Sequence, residues 1–276
     1  MVMKPLPLTV TGAESHSTPS LPQHPQPRAA SVPAHLEAAV WKANEFGAPL
    51  TAVLKSGWNA LDAELPGGGW PCRSLTEVLQ PQPSVCEWRL LGPALRSVVA
   101  SGRQVVVVGP PKRPHLPGLR PVGLDEKHFV WVQAETPAER LWVTEQLVKS
   151  NACGALLAWL PQARAEQIRR LQVCSQACDG PVFLFRPETA QHEASAAPLR
   201  LTATFGLDWE LLVHVLKRKG PRHEGVIRLE SVPGGLETVL TPQLKRPSRL
   251  TSHREVRHDV LGSTPARQAV RRRVAA

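Results

Sequence analysis

No tyrosine occurs anywhere in the sequence, and only five phenylalanines and two methionines do, so eight tryptophans carry most of the aromatic bulk. A GC-biased coding sequence is the plain reading of the missing tyrosine. No stretch approaches the roughly 20 apolar residues that a membrane helix needs, which argues against a spanning segment. The N-terminus has Lys4 and then Pro5 and Pro7, with no apolar run of the kind a secretory signal requires. Five cysteines are an odd number with no disulfide spacing. A reduced, cytoplasmic setting is the expectation.

Charge of one sign is also scarce where a binding face would need it. The formal net charge is +10, but residues 245–276 hold nine Lys or Arg against Glu255 and Asp259, a net +7. Residues 1–34 add +1, which leaves only +2 for the body. The basicity therefore sits in a tail and not across a folded face. A hydrophobic content of 42% over 276 residues is enough for one large domain or two small ones with a substantial core.

What is present divides into three parts. Residues 1–33 are rich in Pro, Ser, Thr, His and Gln without apolar periodicity, and are read as disordered. Residues 34–241 carry the patterned body. From residue 242 to 276 the periodicity is lost, giving a basic tail read as disordered. Within the body a short helix is expected over 34–46, with Leu36, Val40 and Trp41 on one side, then an extended stretch over 51–55. Helices are expected over 84–101 (kinked or started late by Pro93), 137–149 and 164–178. The run Val105-Val106-Val107-Val108 is that of a strand buried on both faces, as are 153–160 and 181–185. Further strands are expected over 75–79 and 129–133, and residues 110–121, with five prolines, read as loop. Strands alternating with helices argue for a mostly parallel sheet with helices on both faces. The segments 199–205, 209–216 and 226–229 follow one another without helices and read as an antiparallel meander at the sheet edge.

One stretch organises the body: Leu61-Asp62 leading through Pro66-Gly67-Gly68-Gly69-Trp70-Pro71 into Ser74-Leu75-Thr76-Glu77-Val78. Three successive glycines permit a tight turn or a close approach. Either a turn that sets helix-to-strand geometry or a partner or nucleotide contact would use them, and the turn is favoured.

These residues, with Ser56-Gly57, resemble the opening of the ATPase core of RecA-type recombinases. The closer resemblance is to the ImuA family, RecA-like accessory proteins of bacterial mutagenic translesion synthesis. It is carried also by Cys86-Glu87-Trp88-Arg89-Leu90-Leu91, Gly109-Pro110-Pro111, Leu141-Trp142 with Glu145-Gln146, and Cys153-Gly154-Ala155. Arg169-Arg170-Leu171-Gln172, residues 183–187, Pro198-Leu199-Arg200-Leu201 and Val215-Leu216-Lys217-Arg218-Lys219-Gly220 complete it, over about residues 38–230. The resemblance implies a RecA-like three-layer α/β core with a mostly parallel sheet and antiparallel strands at the C-terminal edge. It implies assembly with an inactive Y-family polymerase homologue and an error-prone replicative-type polymerase in the SOS response, with RecA as a further partner. A distant relation to SulA, itself RecA-like, makes a cell-division inhibitor the alternative.

The departures from that pattern bear on mechanism. A phosphate-binding loop needs Gly-x-x-x-x-Gly-Lys-Ser/Thr. Here residues 79–87 read Leu-Gln-Pro-Gln-Pro-Ser-Val-Cys-Glu, with no Gly, no Lys and an acid near the place of a phosphate. The strand expected to end in a metal-holding Asp ends in Trp159 and Leu160. Gly109-Pro110-Pro111-Lys112 stands where the catalytic Glu is expected. No catalytic residue, cofactor or metal is therefore expected, and a RecA-type ATPase is the least favoured reading. Cys174 and Cys178, one helical turn apart, lack a second pair to complete a metal site and read as small buried side chains.

Candidate binding residues lie in two basic segments. Lys217, Arg218, Lys219 and Arg222 sit at a strand end, as a solvated tip or a contact to phosphate or protein. Lys245, Arg246, Arg249, Arg254, Arg257, Arg271, Arg272 and Arg273 form the tail. Without aromatics for stacking, DNA binding by the tail would be sequence-independent and salt-sensitive. Folding on a protein partner, or solubility alone, are its other uses. The proline loop, with Lys112, Arg113, His115 and Arg120, is a partner or DNA surface or an ordinary solvated loop.

Overall fold

A computed structural model describes residues 52–83 and 86–249. The segment expected to be disordered over 1–33, the helix expected over 34–46 and the basic tail beyond residue 249 lie outside the described residues. In chain order the strands are β1 (Val53–Leu54), β2 (Trp70–Pro71), β3 (Leu75–Gln80), β4 (Val105–Val108), β5 (Phe129–Val132), β6 (Ala155–Trp159), β7 (Val182–Pro187), β8 (Leu199–Phe205), β9 (Glu210–Lys217) and β10 (Ile227–Glu230). The α-helices are α1 (Asn59–Asp62), α2 (Glu87–Ala100), α3 (Leu116–Leu119), α4 (Pro137–Lys149) and α5 (Ala165–Ser175).

Eight strands form one sheet in the order β10-β9-β8-β3-β7-β6-β4-β5. Strand β3 lies at its centre, parallel to β7 and β8, and β7, β6, β4 and β5 continue the parallel part. Strands β9 and β10 are antiparallel additions at one edge. The chain is thus a mixed α/β fold with a large, mostly parallel sheet and an antiparallel C-terminal edge. No described helix is long and apolar enough to cross a membrane.

Period-two alternation in the strands sorts their side chains onto two faces. Val105, Val107, Leu157, Phe183 and Phe185 point into one cluster with Leu90, Leu91, Leu95 and Val98 of α2. Val106, Val108, Leu156 and Leu184 point into the other, with Val148 of α4 and Ile168 and Leu171 of α5. Right-handed crossovers explain this division, because connections that run in opposite directions along the sheet place their helices on opposite faces. Both faces of β4, β6 and β7 are covered, as the unbroken apolar runs require.

Pro93 stands inside α2. The expected loop over 110–121 contains the short α3 and a 3-10 turn over Arg120–Val122, a correction caused by two local turns that the prolines permit at their first positions. Helix α4 begins as the sequence indicates: Thr136 caps it, its Oγ1 accepting from the Glu139 N–H at 3.2 Å, while Glu139 Oε2 accepts from the Thr136 N–H at 3.1 Å.

Helices α4 and α5 are joined by Glu145, a buried carboxylate that accepts from Lys149 Nζ at 2.6 Å and from Arg170. The Lys149 hydrogen bond, helped by Arg170 and opposed by burial, holds the Glu145 carboxyl below its ordinary range. A lowered native pKa stabilises the fold above the unfolded value of about 4.3 and loses that contribution as pH falls through the native value. Glu145→Gln should therefore cost about 0.5–1 kcal/mol at pH 7, a modest figure because both cationic partners are half exposed. Urea melts of the two proteins should converge by about pH 3. A gap that persists there would assign the loss to packing.

Candidate functional site

In an open α/β sheet, ligands bind beyond the carboxyl ends of the parallel strands, where neighbouring crossovers leave toward opposite faces. Here that place lies beyond the ends of β3, β4, β6 and β7. A cavity of about 110 Å³ is found there, bordered by Gln80, Gly109, Trp159 and Arg186, with Pro83, Pro111, Pro161 and Pro187 on its walls. Proline supplies no N–H, so these walls offer few backbone donors to an anion.

The first turn of α2 would be the anion site, since its free N–H groups and dipole favour negative charge. The protein's own Glu87 occupies that turn and is fully buried. Its Oε1 accepts from Trp159 Nε1 at 2.9 Å. Trp159 in turn stacks on Phe185, with ring centroids 4.6 Å apart, and leans on Trp88 at 6.3 Å. The residue at the strand end where a metal-holding Asp was expected is thus an indole donating to a carboxyl in the anion position. Next to it the Cys86 thiol is pushed up to about 12 by burial and by Glu87, which makes it a poor nucleophile. Sites for small ligands usually measure about 300–1,000 Å³. The cavity, its walls and Glu87 do not fit a nucleoside triphosphate.

Under the opposite face of β3 lies a charge cluster. Glu77, fully buried on the central strand, accepts from Arg186 Nη1 of β7 at 2.8 Å and from Arg200 Nε of β8 at 2.5 Å. Arg200 sits directly across the ladder from Glu77. Arg186 also reaches Glu193 at 2.6 Å and the Ala163 carbonyl at 2.9 Å. Arg200 donates to the carbonyls of Ala190 and Gln191. Three motifs from distant parts of the chain, around Glu77, Arg186 and Arg200, are therefore used in binding the sheet to the segment that covers it.

The glycine motif forms a turn between the two short strands. Gly67 and Gly68 have φ of +75° and +78°, and Lys55 Nζ donates to the Gly68 carbonyl at 2.8 Å. A Cβ on Gly69 would stand 2.6 Å from the Leu54 carbonyl oxygen. Trp70, fully buried, meets Phe183 edge to face at 5.3 Å, and Pro71 pairs with Val53. The motif anchors the β1–β2 ribbon to the sheet. Gly69→Ala should cost about 1–3 kcal/mol in chemical denaturation, since the backbone of β1 must move. An unchanged midpoint would show that the ribbon is loose.

The basic hairpin is tied to this same motif. Arg218 donates to Glu64 Oε2 at 2.8 Å and to the Pro221 carbonyl at 2.6 Å, and His223 Nδ1 lies 3.0 Å from the same Glu64 oxygen. The Arg218 hydrogen bond in particular holds the Glu64 carboxyl below its usual range. Lys217 donates to the Ser195 carbonyl at 2.9 Å. Lys219 and Arg222 are exposed. In the tail, Lys245, Arg246 and Arg249 are exposed, and Ser248 donates to both oxygens of Asp208. Arg254, Arg257, Arg271, Arg272 and Arg273 lie outside the described residues.

Two arrangements escaped the sequence: the Glu87–Trp159 pair and the Glu77 cluster. Each member stood in a motif, but their partners lie 72 to 123 residues away. An acid placed where a phosphate would bind was the only local signal. Among the described residues no group of three His, Cys, Asp or Glu is placed to hold a metal ion. Of the proteins with which the chain was compared, no family model matches it and no curated protein does.

Proposed function

We propose that this protein is a non-catalytic, RecA-like accessory factor of SOS-induced mutagenic translesion synthesis. It joins an inactive Y-family polymerase homologue and an error-prone replicative-type polymerase, with RecA as a further contact. The observation that carries the reading is the Glu87–Trp159 pair at the carboxyl end of the parallel strands. A large, mostly parallel sheet with an antiparallel edge is present, and side chains of the protein itself occupy the first turn of the helix that follows its central strand, which supports the reading. A sheet whose strand-end cavity measures only about 110 Å³ suits a scaffold better than an enzyme. The exposed Lys219 and Arg222, with the cations of the tail, would supply sequence-independent and salt-sensitive contact to DNA.

Affinity capture of the full chain from cells treated with a DNA-damaging agent tests the reading. Recovery of either polymerase component or of RecA is the expected result, and recovery of none of them would overturn it. In the same preparation Mg-ATP should leave the melting temperature unchanged. A ligand at 100 times its Kd would add about 2.7 kcal/mol of stability, so a shift of several degrees would restore an ATPase reading.

A further inference from the structure

A second concavity, larger than the strand-end cavity, lies on the face covered by α2. It is a groove of about 670 Å³ between α2, the proline loop and the segment after β10. The half-buried Trp58 and Trp88 form part of its floor. One wall carries Lys112, Arg113 and His115, all exposed. The other wall, residues 231–237, carries Val232, Pro233 and two glycines, with Glu237 its one charged residue.

The walls are held in place by two arginines of α2 that also line the groove. Arg89 donates to the Ser231 carbonyl at 2.8 Å and to the Trp209 carbonyl at 2.5 Å, and Arg96 donates to the Val122 carbonyl at 3.1 Å. The groove is thus built before any ligand arrives, which lowers the ordering cost of binding.

We propose that this groove binds an acidic peptide segment of a partner protein, anchored by an apolar side chain over Trp58 and Trp88. The exposed cations are on one side: Lys112 and Arg113 on the proline loop and Arg96 bonded beside it at Val122 face a wall whose one exposed charge is Glu237, the half-buried Arg89 being held by the Ser231 and Trp209 carbonyls. An extended peptide with acids along one edge and an apolar residue beneath matches that asymmetry. Single-stranded DNA matches it less well. Its phosphates need cations along the whole track, and the wall of residues 231–237 supplies none. Trp88 leans on Phe129 and Trp159, and Trp58 donates its indole N–H to the Leu90 carbonyl at 3.0 Å, so both rings are held in place as an apolar floor. The inference deepens the scaffold reading and rests on it for the existence of a partner.

A library of random dodecapeptides displayed on phage is selected on the full chain, without any polymerase or RecA. This separates failure of the groove from failure of the partner assignment, which affinity capture decides. Selected peptides should combine several Asp or Glu with an apolar residue. They should bind the Lys112→Glu/Arg113→Glu variant roughly tenfold more weakly, and Glu237→Lys a few-fold more tightly. All three residues are exposed and only Arg113 gives up a contact, over the Trp131 ring at 5.7 Å, so thermal melts should stay close to those of the parent protein. Absence of selected peptides, peptides without acidic bias, or binding indifferent to the double variant would overturn the proposal. So would displacement of the bound peptide by an oligo-dT strand, which would assign the groove to DNA.

Discussion

Glu77→Ala should destabilise the protein by about 3–5 kcal/mol, because it removes the carboxylate between two buried guanidinium groups. Arg200 would keep only the carbonyls of Ala190 and Gln191, while Arg186 would retain the partly exposed Glu193. The magnitude follows from desolvation: a paired buried charge is tolerated, and an unpaired one is not. The triple variant Glu77→Leu/Arg186→Met/Arg200→Met separates this cause from packing. It removes charges of both signs together and should recover most of the loss, since apolar replacements of buried ion clusters are often neutral or stabilising. Urea denaturation of the two variants beside the parent chain measures both. A cost below about 1 kcal/mol for Glu77→Ala would mean that water reaches the cluster, and the account given for the contacts of Arg186 and Arg200 with Ala190, Gln191 and Glu193 would fail.

Trp159→Ala should cost a similar amount, about 3–5 kcal/mol, as expected for a large aromatic removed from a packed site. The side chain stacks on Phe185 and lines both the strand-end cavity and the groove beneath α2. Trp159→Phe keeps most of the volume and loses the indole N–H that Glu87 accepts. It should cost about 1–3 kcal/mol, the range for leaving a buried polar group short of a partner. The difference between the two variants measures packing apart from the hydrogen bond. A loss near zero for Trp159→Phe would make the Glu87 contact incidental and would take away the observation on which the scaffold reading rests.

Local patterns in the sequence were sufficient for most elements. The β-branched run over 105–108 has no polar position to expose, so a strand covered on both sides is its natural state. The capping box at Thr136 and Glu139, with Pro137 between them, sets the start of α4 through bonds made within four residues. The loss of helical segments after residue 198 announced the antiparallel edge. Those signals are local because the hydrogen bonds and alternation behind them span only a few residues.

The sequence by itself therefore determined the α/β alternation, the strands buried on both faces, the start of α4 and the lack of a phosphate-binding loop. Only the tertiary structure decided what stands in that loop's place and what the buried charges do. Glu77 in its strand looks like any polar residue in an alternating pattern, and Trp159 like an ordinary strand end. The crossovers bring β7 and β8 to either side of β3 and carry β6 to within reach of α2. Which carboxylate meets which guanidinium or indole depends on strand order and register, which no window of sequence contains. The groove beneath α2 has the same origin, since its floor, its basic wall and its apolar wall come from three parts of the chain that meet only when the sheet closes.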